Sequence, residues 1–168
     1  MYGSPSEIEI LERANLHHAK YAIVLATDST PAADQKTVLT VLAIESLNPS
    51  IMTCAELRDP NNAGYLSRAN CDIIVNTTLL TSKFLAMSVE NRVVSEVITG
   101  LVTHNHGSEI SALKLPKKYE GTTFKGPYEE LKSSQNLTVI GIERNQDSLL
   151  NPSLDFVLQP GDTLLVIS

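Results

Sequence analysis

The chain has 168 residues, 42% of them hydrophobic, enough to bury one core or two small ones and too apolar for a disordered segment. Its formal charge is −6 and its 13 Lys and Arg are scattered, so no nucleic acid is expected as a partner, because phosphate binding relies on clustered cations. No apolar stretch approaches the roughly 20 residues that cross a bilayer, and no signal-peptide pattern is seen, so no direct membrane insertion is expected of this chain.

Ser4, Pro5 and Glu7 form a helix-start pattern, with Ser as cap, Pro at the first helical position and Glu closing a capping box. The helix they predict places Ile8, Leu11 and Ala14 on one face. Tyr21 to Ala26 is a continuous apolar run ending in Thr27-Asp28, the form of a strand buried on both faces of a parallel sheet. After the polar loop from Ser29 to Ala33, a helix from about Asp34 to Leu47 is expected to bury Val38, Leu39, Val41, Leu42 and Ile44; Asn48-Pro49 stops it. Ile51 to Leu57 reads as a second strand. Asp59-Pro60 opens a helix that Asn70 ends in a left-handed cap, and Ile73 to Val75 is a third strand. Such alternation predicts a parallel sheet with helices on its faces.

From Thr81 to Val102 the pattern becomes one long helix. Leu85, Val89, Val93, Val97 and Leu101 recur every fourth residue, and Met87, Val94 and Ile98 widen the stripe. So broad an apolar surface is hard to cover within one small lobe, so the helix is expected to cross between lobes and bury its second face on another subunit; packing within its own lobe is the plainer alternative. Thr103 to Glu109 breaks the pattern. Beyond it short strands are predicted at Ile110 to Leu115, Leu137 to Glu143, Phe156 to Leu158 and Thr163 to Ile167, with turns at Pro116, Asn145 to Asp147 and Pro160 to Asp162, and a brief helix at Tyr128 to Lys132.

The stretch "GTTFKGPYEELKSSQNLTVIGIERNQDSLLNPSLDFVLQPGDTLLVIS", Gly121 to Ser168, resembles the C-terminal lobe of the RCK family, also called KTN or TrkA-type domains, which regulate potassium channels and transporters. The likeness rests on a Gly-led segment before a small helix, a strand of the form V-x-G-I-x-R, an apolar pair followed by Asn-Pro, and a closing x-P-G-D-x-L-x-V-I. "LERANLHHAKYAIVLATD", "CAELRDPNNAGYLSRANCD" and "DIIVNTTLLTSKFLAMSV" are similar to the second half of the same family's N-terminal lobe. Asn70 stands where the family usually has Gly, and the loop from Ser29 to Ala33 with its following helix looks closer to channel-type members.

The resemblance implies an α/β fold: a partial Rossmann-like parallel-sheet lobe over 1–80, a crossover helix over 81–103, and a small strand-rich α+β C-terminal lobe over 104–168. It also implies that the first strands of the N-terminal lobe, with their G-x-G-x-x-G, lie outside this sequence, either because it is a piece of a longer protein or because another chain supplies them. The function implied is a cytoplasmic ligand-sensing domain at the inner face of the membrane. Such a domain gates potassium conductance by ligand-dependent rearrangement of dimers or a larger ring, with a linked or partner pore or transporter subunit. The crossover helix implies a homodimer interface at Leu85, Val89, Val93, Val97 and Leu101.

Candidate ligand-binding residues are Asp28, Glu56 and Asp59. Asp28 ends a parallel strand, where open sheets place ligands, though it serves equally as a turn cap. Glu56 corresponds to a carboxylate that binds calcium in some relatives, so a divalent cation such as calcium is the cofactor the resemblance suggests; a surface ion pair is the alternative. Arg58 occupies the next ligand position, with Asp59 as a substitute that is also wanted as a helix cap. His104 and His106, with Glu109, have a spacing that chelates a transition metal on an extended loop, though loop histidines are commonly just solvated. Cys54 and Cys71 have neither metal-ligand nor CxxC spacing and read as buried reduced thiols. No catalytic elbow, P-loop, HExxH or Cys-His pair is present, so the chain reads as a binding module rather than an enzyme. The alternatives, a truncated nucleotide-binding half of a dehydrogenase-like enzyme and a phosphoacceptor receiver with Asp28 as acceptor, do not account for the strand-rich C-terminal lobe.

Overall fold

The first part of the chain alternates helix and strand, as its hydrophobic periodicity dictates. The structure, a computed structural model, describes residues 3–28, 30, 32–103 and 109–168. It divides into two units, Met1–Glu90 and Asn91–Ser168. The first contains α1 (Ile8–Arg13), β1 (Tyr21–Val24), α2 (Ala33–Leu47), β2 (Met52–Leu57), α3 (Ala63–Arg68), β3 (Ile73–Asn76) and α4 (Thr77–Glu90). Its sheet is parallel in the order β1-β2-β3, with Val24 opposite Ala55 and Ala55 opposite Ile74.

One face of this sheet carries the core. Val24, Ala55 and Leu57 meet Val41 and Ile44 of α2, Leu66 of α3, and Leu11, Leu16, Ile51 and Ala69. The other face is apolar but open. Tyr21, Ile23, Leu25, Met52 and Ile73 are exposed, Ile23 at 74%. The expectation of a first strand buried on both faces is therefore corrected, since the helices after β1 and β2 pack on one side only. On α2 the buried stripe is Thr37, Thr40, Val41 and Ile44, spaced three and four apart, so Leu39 and Leu42 fall outside it and are exposed, against expectation. The Thr37 and Thr40 hydroxyls donate to the Ala33 and Lys36 carbonyls, which lets both be buried at little cost.

Two local expectations also change. Ser4 does not cap α1: its carbonyl accepts from the Glu7 amide at 3.0 Å, closing a turn that holds residues 4–7 out of the helix. Asn70 does adopt the left-handed conformation, φ 62°, and α3 ends there. The segment read as one helix from Thr81 to Val102 is two. α4 stops at Glu90 and α5 (Arg92–Thr103) begins after Asn91, whose Oδ1 accepts from the Val94 amide at 3.2 Å. Asparagine favours starting a helix over continuing one, and the two units divide just before it.

The second unit continues with β4 (Ile110–Lys114), α6 (Lys125–Gln135), β5 (Thr138–Arg144), β6 (Asp147–Leu150) and β7 (Thr163–Ile167). Its sheet is antiparallel in the order β4-β7-β5-β6. Leu115, Tyr119, Phe124, Leu131, Val139, Ile142, Leu158, Leu164 and Val166 form the core. β5 and β6 are joined by Asn145 and Gln146, both at positive φ (55° and 71°), the two-residue turn whose twist matches a hairpin. At Gly141 a Cβ would lie 2.6 Å from the Leu149 carbonyl oxygen, so the hairpin needs glycine there. β6 was not expected, and Phe156 to Leu158 forms only a bridge between Val157 and Thr123 rather than a strand. α6 is longer than the brief helix anticipated; Phe124 just before it and Pro127 and Leu131 within it are buried.

Candidate functional site

The carboxyl ends of β1 and β2 bring Asp28, Glu56 and Asp34 close to one another, as parallel sheets do where successive strands end together. Glu56, near the end of β2, spans two elements. Its Oε2 accepts from the Ala26 amide just past β1, and its Oε1 accepts from the hydroxyl of Thr77, the first residue of α4, both at 2.8 Å. The Ala26 amide, then the Thr77 hydroxyl, hold the Glu56 carboxyl below the ordinary glutamate range, and Arg58 adds to this.

Asp28 is committed to its own loop. It accepts from the amide of Thr30 at 2.9 Å and from the Thr30 hydroxyl, and pairs with Lys36 Nζ at 3.0 Å, bonds that hold its carboxyl far below the usual aspartate range. Asp59 accepts from the Asn61 amide at 3.0 Å and the Asn61 side chain at 2.9 Å, so it starts the turn leading into α3. The structure thus brings Asp28 and Glu56 to neighbouring strand ends, each already holding donors, and gives Asp59 a capping role.

The residue the sequence did not single out is Asp34, in the first turn of α2 and only 3% exposed. It accepts from the Arg58 amide at 3.0 Å, the Asp59 amide at 2.9 Å and Asn62 Nδ2 at 2.9 Å. Burial pushes its carboxyl up, but these donors outweigh burial and hold it below the ordinary range. Asp34 thereby fixes the loop after β2. An open pocket beside it, lined by Gln35, Val38, Leu39, Asn62 and Tyr65, has a volume of about 400 Å³. Its signal in the sequence is weak, because an acidic residue in a first helical turn is ordinary.

Calcium takes roughly six to eight oxygen ligands, several of them carboxylate. Among the described residues no group of three or more His, Cys, Asp or Glu is placed to hold a metal ion. Glu56 has both oxygens engaged, the nearby Asp34 carboxylate is taken up by three donors, and a cation, Arg58, lies two residues on from Glu56. These residues do not fit a calcium cage. His104 and His106 lie outside the described residues. Cys54 and Cys71 are free and half-buried, rather than buried as expected, and burial pushes the Cys71 thiol up.

The expected interface residues are open. Leu85 and Val89 on α4 and Val93 and Val97 on α5 are exposed, Val89 at 89%, while Leu101 is half-buried; no residue of α4 is buried at all. In the second unit the main polar construction is a two-pronged pair. Arg144 Nε and Nη2 donate to Asp162 Oδ1 and Oδ2 at 2.7 and 2.8 Å, and Nη2 also reaches the Val157 carbonyl at 3.0 Å. The Asp162 side chain is 1% exposed, and Arg144 first, then the Gln159 amide, hold its carboxyl low against the opposing push of burial.

The TrkA-N domain model matches residues 1–77 and the TrkA-C domain model residues 129–168. A Bacillus subtilis protein named as potassium channel protein YugO is 23% identical over 167 residues, covering 98% of this chain and 51% of its own. A Methanocaldococcus jannaschii protein named as potassium channel protein 2 is also 23% identical, covering 96% of this chain and 47% of its own. The chain spans about half the length of these curated relatives. The human SLO3 gating ring superposes on 100% of this chain and 36% of its own, with a TM-score of 0.82 and 18% identity, a likeness of fold. Among the described residues no helix is long and apolar enough to cross a membrane.

Proposed function

The chain belongs to the RCK family, joining a TrkA-N and a TrkA-C domain in one polypeptide, and from that premise we propose that it is the ligand-sensing part of a potassium channel or transporter. In this reading it works in the cytoplasm at the inner face of the membrane. A small ligand at the strand ends, beside Glu56 and Asp28, favours one arrangement of paired subunits over another, and that difference in affinity moves a linked pore. Nothing in the reaction sense is required of it.

The observation that carries this reading is the exposure of apolar residues on the chain between the two family domains, on α4 of the first unit and on α5 of the second. Leu85, Val89, Val93 and Val97 are exposed, a cost that a second copy of the chain removes. In a two-fold interface each residue appears twice. Val93→Asp is therefore expected to give monomer, or aggregate, where the parent runs as a dimer or larger ring. Light scattering at tens of micromolar tests it: a monodisperse monomer for the parent removes the paired-subunit mechanism. The step from assembly to conductance is read as potassium flux through the full-length protein in liposomes, which the same substitution is expected to uncouple from ligand.

A further inference from the structure

We propose that Glu56 is a latch between the end of β1 and the start of α4, so that whatever occupies the strand ends reaches the exposed helix through the Thr77 hydroxyl. The proposal rests on the ligand-sensing reading for its purpose, but its geometry stands apart from it. Glu56 Oε2 holds the Ala26 amide and Oε1 holds the Thr77 hydroxyl, each at 2.8 Å. Ala26 follows β1 and Thr77 follows β3, so one carboxylate on the central strand ties together the two segments that leave the flanking strands. Those segments have different duties. The first leads through Thr27 and Asp28 into the loop that Asp28 and Lys36 organise. The second begins the helix that carries Leu85 and Val89.

Why this contact matters follows from what else holds α4. No side chain of the helix is fully buried; Phe84 and Met87 are half-buried and its other apolar residues are mostly exposed, so apolar packing alone attaches it weakly. The Leu79 amide donates at 2.8 Å to Asn76 Oδ1, the side chain of the last β3 residue just before the helix, a cap that stabilises the helix start but does not moor it to β2. The Thr77 hydroxyl is the polar group of the first turn that leaves the helix for a neighbouring strand. A ligand bearing a hydrogen-bond donor or positive charge at this place competes with Thr77 for Glu56. Success detaches the first turn of α4 without unfolding the sheet.

The test uses the intact chain and two substitutions of nearly the same shape. Thr77→Val removes the hydroxyl and keeps the β-branch; Thr77→Ser keeps the hydroxyl. Amide hydrogen exchange is expected to quicken roughly tenfold over the first two turns of α4 in Thr77→Val, to return to the parent rate in Thr77→Ser, and to stay unchanged in β2 and β3. Glu56→Gln, which keeps one acceptor oxygen for two donors, is expected to show the same local quickening. Parent-like exchange in both Thr77→Val and Glu56→Gln overturns the latch, and so does quickening spread evenly through the sheet, which marks plain destabilisation. If the local effect appears while the parent chain is monomeric, the latch stands and the paired-subunit reading falls.

Discussion

The two sheets of this chain are written in different ways. In the antiparallel sheet of the second unit, β7 buries Leu164 and Val166 while the alternate residues Thr163, Leu165 and Ile167 are half-buried, and the core is closed by residues of the same unit. In the parallel sheet of the first unit both faces are apolar, yet only one is covered: Val24 is buried while Tyr21, Ile23 and Leu25 beside it lie open. Parallel sheets are found with both faces packed, so the first sheet's sequence is suited to a further layer and the second's is complete within its own unit. The same contrast holds for charge. Asp162 meets its partner Arg144 within the unit, whereas Glu56 ties together segments that border the open region.

The largest expected effect breaks the self-sufficient unit at its ion pair. Asp162→Ala leaves the Arg144 guanidinium and the Gln159 amide without their acceptor, and is expected to cost about 3 kcal/mol, the low end for a broken buried pair because Arg144 keeps some solvent. Urea denaturation followed by circular dichroism measures it, and a loss under about 1 kcal/mol would place the pair with ordinary surface bridges.

Acid distinguishes the units next. Asp162 and Asp34 both have carboxyls held below the unfolded value of about 3.9. Their contribution is therefore fully present above that pH and is lost as pH falls through the lower folded values. Stability is expected to hold from neutral pH to about 4 and to drop below it, and Asp162→Asn is expected to flatten that acid limb only for amides of the second unit. An equal flattening in the first unit would show that the two do not respond separately.

The smallest effect probes the open face directly. Ile23→Thr removes exposed apolar surface and is expected to change stability by no more than about 0.5 kcal/mol, whereas Val166→Thr places a hydroxyl in a closed core and is expected to cost about 1–3 kcal/mol. Comparable losses at the two positions would mean that the face around Ile23 is covered in solution.

Much of this architecture was readable because it depends on periods. Continuous apolar runs between helical patterns gave three parallel strands within a residue or two, and Asn70 was recognisable as a helix end because few side chains tolerate positive φ. The break at Asn91 was hidden by the apolar stripe itself, since Val89 and Val93 keep the helical spacing straight across it. β6 was hidden because Asp147-Ser148-Leu149-Leu150 does not alternate; its place comes from the turn at Asn145-Gln146 and from β5. Of the strand-end groups, the position of Glu56 could be read, but not that its two oxygens would be divided between Ala26 and Thr77, a matter of three-dimensional closure over 30 and 21 residues of chain. Asp34 was missed for the same reason. Conversely, Arg144 and Asp162 stood in the quoted motif as separate letters, and only folding shows that they are one interaction.

Among the described residues, five of the six non-glycine positions at positive φ are asparagine: Asn15, Asn70, Asn136, Asn145 and Asn151. Glycine would sit there with less strain in the folded chain, but it would also leave the unfolded chain more conformations to lose, a difference of about 0.4–1 kcal/mol per site. Using asparagine shifts part of the work of turning the chain from the native state to the denatured one. The protein's bends are thus set partly by what the disordered chain is denied, so the helix ends and the hairpin remain well defined even where no large side chain packs over them.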